Sequence, residues 1–385
     1  MSLNERLTQI QPNAIRAFDA QISDVADILK LTLGEPDFNV PTHIKQAAID
    51  SILADDSHYA PAAGTQALRE AAVHFLADRY NLQYDADSQV IVTLGATEGI
   101  YDTITAVVNP GDRVLIPAPN FPLYDPTVVL AGGVPTYVDT SATDFLLTPD
   151  QLQGAIDTYG DQLVAVVLNY PSNPTGATYT SEQLSALADV LRGTDITVIA
   201  DEIYSELVYD GQHTSIAQYL PDQTLVLNGV SKSHAMTGYR IGFVVGPTNL
   251  IRAVGLIHQF AVTSASNPAM AGAAEALGTE AGRQDTLAMK AEYAARRDYL
   301  VKALRELGFA IPQPAGAFYV FAQIPDGLVQ DDVAFSLALA QEGKVAVIPG
   351  SAFGIGGAGY IRLSYAASLA DLQTAVARIA AFITD

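Results

Sequence analysis

An α/β fold is predicted, with a mostly parallel seven-stranded sheet flanked by helices and a smaller α/β layer after it. Three observations predict it. Seven short apolar runs follow one another between residues 89 and 246, continuous in Val, Ile and Leu rather than alternating. That is the pattern of strands buried on both faces. Helix-like segments lie between them, and repeated strand-helix units assemble as a parallel sheet with helices on both sides. After about residue 250 the texture changes to a long Ala-rich stretch and then three more apolar runs.

Taken in order, QVIVTLG (89–95) is the first strand, and TEGIYDTITAVVN (97–109) the helix after it. DRVLIPAP (112–119), VPTYVD (134–139) and QLVAVVLNY (162–170) are the next strands. SEQLSALADVLRG (181–193) reads as a helix with Ser181 as its N-cap signal and Gly193 closing it. DITVIADE (195–202), TLVLNG (224–229) and RIGFVVG (240–246) complete the set. The Ala-rich stretch over roughly 249–308 reads as helical. GAFYVFAQI (316–324), KVAVIPG (344–350) and GYIRLSYA (359–366) are the strands of the second layer, and a helix near 369–384 ends the chain. The expected division is a large domain over 46–280 and a small one made of 1–45 with 281–385.

The 385 residues are 49% hydrophobic, ample for a large core. Twenty Lys and Arg against 42 Asp and Glu give a formal charge of −22. A nucleic-acid partner needs a basic face and is not expected. There is no cysteine, which excludes disulfides, thiolate catalysis and Cys-ligated metals. The N-terminus has no apolar core of signal-peptide length, and no run reaches the length of a membrane span. A cytoplasmic protein is expected. His43, His58, His74, His213, His234 and His258 show no metal spacing with nearby carboxylates, so no metal is expected.

Open α/β sheets bind ligands at the carboxyl ends of their strands. Four chemistry-bearing segments fall there. Lys232 follows one strand in LNGVSKSHAMTGYRIGF (227–243), with Arg240 eight places later. Asp201, Glu202 and Tyr204 follow another in ADEIYSE (200–206). A carboxylate ending a hydrophobic strand is costly unless paired; it either caps the next helix or holds a protonated ring nitrogen. Asn173 lies in the rigid turn YPSNPTGATYT (170–180). In LGATEGI (94–100), Gly95 and Ala96 let backbone N–H groups approach an anion at a helix N-terminus, and Thr97 adds a hydroxyl. A base, an acid, an amide and an anion cradle at one sheet edge are what pyridoxal phosphate needs.

Eight motifs then occur in family order: GEPDF (34–38), YAPAAGTQALRE (59–70), LGATEG (94–99), APNFPLY (118–124), YPSNPTG (170–176), DEIYSELVY (201–209), SKSHAMTGYRIG (231–242) and YIRLSYA (360–366). On these, and over nearly its whole length, the chain resembles the class I aminotransferases of the fold-type I pyridoxal-phosphate enzymes, with an aspartate-aminotransferase-like fold. The resemblance implies that Lys232 forms a Schiff base with the cofactor and Asp201 binds its pyridine nitrogen. Tyr204 and Asn173 would bond its phenolic oxygen, and Phe121 would stack on its ring. Gly95, Ala96, Thr97 and Arg240 would hold its phosphate. Tyr59 would reach the phosphate of the neighbouring subunit of a homodimer with shared sites. Arg362 would bind the substrate α-carboxylate, helped by Asn173 and the backbone at Gly34.

Three positions depart from the family. Gly229 stands where many relatives have a phosphate-binding Ser, and Ser231 is expected to supply a hydroxyl instead. Tyr239 replaces the usual Trp, and Phe121 the usual Tyr or Trp. The implied reaction moves an amino group from an L-amino acid to 2-oxoglutarate, so the partners are small amino and 2-oxo acids. The chain looks most like bacterial aromatic or N-acetyl-diaminopimelate aminotransferases, and Arg16 could swing over the site. Rival readings are a β-C–S lyase on the same fold, a non-catalytic cofactor-binding regulator and, from GIGGAG (354–359) alone, a nicotinamide oxidoreductase. GIGGAG precedes a strand, the wrong context for a dinucleotide site. His234 is expected to pack, and Arg296 and Arg297 to form a solvated helix face.

Overall fold

The structure, a computed structural model, describes residues 3–384. Among these residues twelve strands form three sheets: β1 (Leu29–Lys30), β2 (Val90–Thr93), β3 (Arg113–Ala118), β4 (Val134–Asp139), β5 (Leu163–Asn169), β6 (Thr197–Asp201), β7 (Thr224–Gly229), β8 (Gly242–Val245), β9 (Tyr319–Gln323), β10 (Val345–Ala346), β11 (Ile348–Pro349) and β12 (Tyr360–Ser364). The seven-stranded sheet has the order β2-β8-β7-β6-β5-β3-β4. It is parallel except for β8, which runs antiparallel to β2 and β7. The second layer is the antiparallel sheet β11-β12-β9, with the parallel pair β1-β10 beside it.

The continuous apolar runs have a direct cause. In β5, Val166 and Leu168 enter the hydrophobic core on one face of the sheet, while Ala165 and Val167 enter the core on the other. Both faces are covered, so neither set of alternate residues has reason to be polar. β4 is the exception. It is an edge strand paired only with β3, and Val134 and Tyr137 are exposed. VPTYVD is therefore not buried on both faces as expected.

Two helix expectations are also corrected. Thr180, not Ser181, caps the helix Ser181–Leu191: its hydroxyl accepts from Gln183 N–H, and Gln183 Oε1 accepts from Thr180 N–H at 2.8 Å. That reciprocal pair leaves Ser181 as the first helical residue. The Ala-rich stretch is three helices, Thr248–Ala261, Asn267–Gly278 and Glu280–Glu306. Thr263 breaks the first with φ 72°. Pro268 sits in the first turn of the second, and the Thr279 hydroxyl caps the third. KVAVIPG likewise divides into β10 and β11, which belong to different sheets.

Arg296 and Arg297 are buried, not solvated. Arg296 Nη1 donates to both carboxylate oxygens of Asp37 at 2.8 Å, and its guanidinium lies over the Phe38 ring. Arg297 Nη1 donates to Asp210 at 2.6 Å and to the Pro314 carbonyl at 3.2 Å. Helical spacing alone does not reveal that residues distant in sequence cover this face. His234 packs as expected. It bonds Ser233 and Thr286, and burial lowers its pKa to about 4, so it is neutral. GIGGAG forms the loop between β11 and β12 and opens no helix. Among the described residues no helix is long and apolar enough to cross a membrane.

Asp37→Ala would leave Arg296 buried without its main partner, since Tyr293 and Arg296 both donate to that carboxylate. A loss of about 2 kcal/mol is expected from charge-assisted hydrogen bonds of this kind. The midpoint of a urea titration checks it; an unshifted midpoint would show the pair contributes nothing.

Candidate active site

The cleft lies where β5, β6 and β7 end and β12 faces them. The strands are in register there, with Asn169 beside Asp201 and Asp201 beside Leu227. Asn169 ties the edge together: its Nδ2 donates to the Asp201 carbonyl at 3.1 Å, and its Oδ1 accepts from Asn173 N–H at 2.9 Å. The cavity is about 310 Å³, within the range of small-molecule sites.

Asp201 is 3% exposed. Its carboxylate accepts from Tyr124 Oη at 2.7 Å and from Ile203 N–H at 3.3 Å. Burial pushes its pKa up to about 6, against the lowering effect of those two hydrogen bonds and of Lys232. Glu202 does not join it at the cleft, contrary to expectation. Adjacent strand residues face opposite ways, and Glu202 is fully buried against His213, Tyr170 and Ser215.

Lys232 sits in the short helix Val230–Ser233 that follows β7. Its Nζ donates to the Gly34 carbonyl at 2.6 Å. Burial lowers its pKa to about 8; Arg240 and Arg362 also lower it, while Glu35 and Asp201 act the other way. Gly229 has a packing reason. A Cβ there would lie 2.8 Å from Gly242 Cα and from the Ile241 carbonyl, so no side chain fits without a shift. Ser231 lines the cleft.

The segment 94–97 turns sharply into a helix. Gly95 has φ 76° and starts the helix Gly95–Val107. A Cβ on Gly95 would meet the Arg240 guanidinium at 2.6 Å, and one on Gly242 would meet Ala96 N at 2.6 Å. Arg240 donates to the carbonyls of Thr237 and Leu94 and lies 3.5 Å from the Thr97 hydroxyl. Ala96, Thr97 and Phe121 line the same cavity.

Across the cleft, Arg362 is 1% exposed. It donates to Asn173 Oδ1 at 2.9 Å and to the Thr32 carbonyl at 2.7 Å, with its guanidinium 4.4 Å over the Tyr319 ring. Its Nε has no hydrogen-bond partner among the described residues. Tyr204 shares a hydrogen bond with Tyr319 at 2.8 Å. Arg16, exposed on the helix Ala14–Gln21, reaches the cavity wall. Tyr59 does not enter this cleft. It is 91% exposed and lies beside His58 and Asn267. Sequence reasoning missed Tyr124, Tyr319 and Asn169. Tyr124 closes the quoted APNFPLY motif, whereas nothing in the strand pattern marks the other two.

A neutralisable lysine, a buried carboxylate and a buried arginine converging on the carboxyl edge of such a sheet define a small-molecule enzyme. The chain belongs to the family of class I and II aminotransferases, whose sequence model matches residues 26–379. It is 40% identical over 382 residues to the probable N-acetyl-LL-diaminopimelate aminotransferase of Bacillus subtilis, covering 99% of this chain and 95% of that one. It is 35% identical over 384 residues to aromatic-amino-acid aminotransferase 2 of Thermococcus litoralis, covering 98% and 97%. The solved structure of Thermus thermophilus aspartate aminotransferase with maleate superposes with a TM-score of 0.94 at 35% identity, covering 99% and 100%. The chain is an aminotransferase of a pyridoxal-phosphate-dependent family, whose members act on small amino and oxo acids.

In the cofactor-free chain the depressed lysine pKa has a stability consequence. Between pH about 8 and 10.5 the unfolded state binds a proton at Lys232 that the folded state does not. Stability therefore rises with pH through this window. Relative to Lys232→Met, the wild type should gain about 3 kcal/mol at most. Paired thermal melts across that range check it; parallel curves would contradict the buried amine.

Proposed function

We propose that the cleft holds pyridoxal phosphate and transfers an amino group from an L-amino acid to 2-oxoglutarate. The observation that carries this reading is the pairing of Asp201 and Lys232 on adjacent strand ends with Arg362 opposite. The residues fit the cofactor. Asp201 is a buried carboxylate whose bonding partners are neutral groups, suited to a cationic ring N–H. The turn Gly95–Thr97 is kept open by glycines whose side chains would fill it.

Bound there, the cofactor supplies a carbonyl that bonds amines and a ring that draws electrons from the substrate Cα. The remaining work falls to this chain. Asp201 holds the proton on the ring nitrogen. Tyr204 and Asn173 bond the phenolic oxygen, and Phe121 covers a ring face. Gly95, Ala96, Thr97, Ser231 and Arg240 hold the phosphate, with Tyr59 reaching that of a second copy in a homodimer. Arg362, helped by Asn173 and the backbone at Gly34, clamps the α-carboxylate and so orients the Cα bond to be broken. Lys232, whose burial favours the uncharged amine, would hold the cofactor through its carbonyl and, once the incoming amino group has displaced it, its freed amine would take the Cα proton and return it to the cofactor's carbonyl carbon. In two halves, the amino acid leaves as its 2-oxo acid and 2-oxoglutarate leaves as glutamate.

An aromatic or N-acetyl-LL-diaminopimelate-like donor is proposed, supported by relatives bearing those names. Arg16 at the cavity wall supports an acceptor with a second carboxylate. A cytoplasmic location fits these substrates.

The test is the absorbance of the purified protein with single amino acids and no acceptor. A band between roughly 360 and 430 nm, moving to about 330 nm with a responding donor, is expected of this cofactor chemistry. Alanine as the sole donor would contradict the donor proposal, and pyruvate from cystathionine without acceptor would indicate a lyase. Lys232→Ala should remove both band and turnover. Arg362→Lys should raise the donor KM roughly thirtyfold, the equivalent of about 2 kcal/mol for a lost bidentate contact.

A further inference from the structure

The helix Gly95–Val107 carries a carboxylate where an anion-binding end gains nothing from one. Glu98 follows Thr97 directly. A negative charge in the first turn suits the helix dipole but repels an anion held at the same N-terminus. Two contacts account for it. Glu98 Oε1 accepts from His258 Nδ1 at 3.0 Å, and Oε2 accepts from Leu94 N–H. The Leu94 carbonyl in turn accepts from Arg240 at 3.3 Å. A continuous path thus runs from His258, fully buried in the helix Thr248–Ala261, through Glu98 and Leu94 to the arginine at the cleft.

Asp102, one helical turn beyond Glu98, is also fully buried, with Oδ2 3.8 Å from His258 Nδ1. Burial by itself lowers the His258 pKa, but the Glu98 hydrogen bond and charge, joined by Asp102, outweigh it and raise it. Burial, with Glu98 beside it, brings Asp102 up to about 7. The geometry gives His258 Nδ1 the Glu98 carboxylate as its acceptor, and that contact holds Glu98 against the Leu94 N–H.

We propose that His258, acting through Glu98, is a positioning residue for the turn Leu94–Thr97 that receives the cofactor phosphate. The inference rests on the cofactor reading above. Without the imidazole, Glu98 loses the donor that fixes its carboxylate, and Leu94 loses a fixed acceptor for its N–H. The effect is specific to phosphate, because the turn touches no other part of the ligand in that reading.

The test compares binding of pyridoxal phosphate and of pyridoxal, which lacks the phosphate, to cofactor-free wild type, His258→Leu and His258→Asn. Binding is read from the absorbance band and by equilibrium dialysis. His258→Leu should bind pyridoxal phosphate roughly tenfold more weakly, the scale of one lost charge-assisted hydrogen bond, with pyridoxal affinity changed by less than about twofold. His258→Asn keeps a donor near the Nδ1 position, so it should show a smaller loss in the same direction. Should His258→Leu fail to fold, the ratio of the two affinities in His258→Asn decides. Equal losses for both ligands, or no loss, would overturn the proposal. So would a stoichiometric divalent metal in the wild type that is lost in either variant, because Glu98, Asp102 and His258 lie close enough together to ligate one. Wild type that binds neither compound at Lys232 would sink the cofactor reading, and this inference with it.

Discussion

The burial of Asp201 at the end of β6 is the constraint on which the site depends. A carboxylate at 3% exposure is tolerated only with hydrogen-bond donors around it. The chain supplies them from two places, Tyr124 after β3 and Ile203 in its own turn, while Asn169 at the end of β5 donates to the Asp201 backbone carbonyl. The same contacts set the register of the sheet edge. Asn169 then holds the turn carrying Asn173, and Asn173 holds Arg362. Satisfying one buried charge thus orders a chain of side chains that crosses the cleft.

The second half of the cleft is sewn on by a short extended segment near the N-terminus. β1 pairs with β10, the Leu31 carbonyl accepts from Ser364 N–H, the Thr32 carbonyl from Arg362 and the Gly34 carbonyl from Lys232. Residues 29–34 therefore touch both the strand bearing the arginine and the helix bearing the lysine. Gly34 has a steric reason as well, since a Cβ there would lie 2.9 Å from the Tyr319 hydroxyl. The lowered pKa of the amine and the burial of the guanidinium are both products of this closure. It withdraws them from water, which disfavours the charge of both, and the Arg362 charge further disfavours that of Lys232.

The strands of the large sheet were legible because burial on both faces removes alternation, and β4 misled because nothing covers its Val134 and Tyr137. The chemistry-bearing residues at strand ends were legible for a related reason: Lys232, Asp201 and Asn173 each interrupt or follow an apolar run where polar groups are costly. What eluded the reading was direction. Asp201 and Glu202 are neighbours in sequence, yet one faces the cleft and the other an enclosed polar cluster with His213. Arg296 and Arg297 look like any charged pair on a helix until Asp37 and Asp210 are seen against them.

By itself, then, the sequence determined the strand-helix order, the apolar layers and the four segments that arrive at the carboxyl edge. It did so because backbone periodicity and the cost of burying polar groups act within a few residues. Tertiary structure alone decided which carboxylate enters the cleft and how far burial shifts Asp201 and Lys232. It also decided that Gly229 has no room for a side chain and that Glu98 meets His258 across 160 residues. These depend on distances between segments remote in the chain, and a pKa or a steric clash exists only once those segments have met.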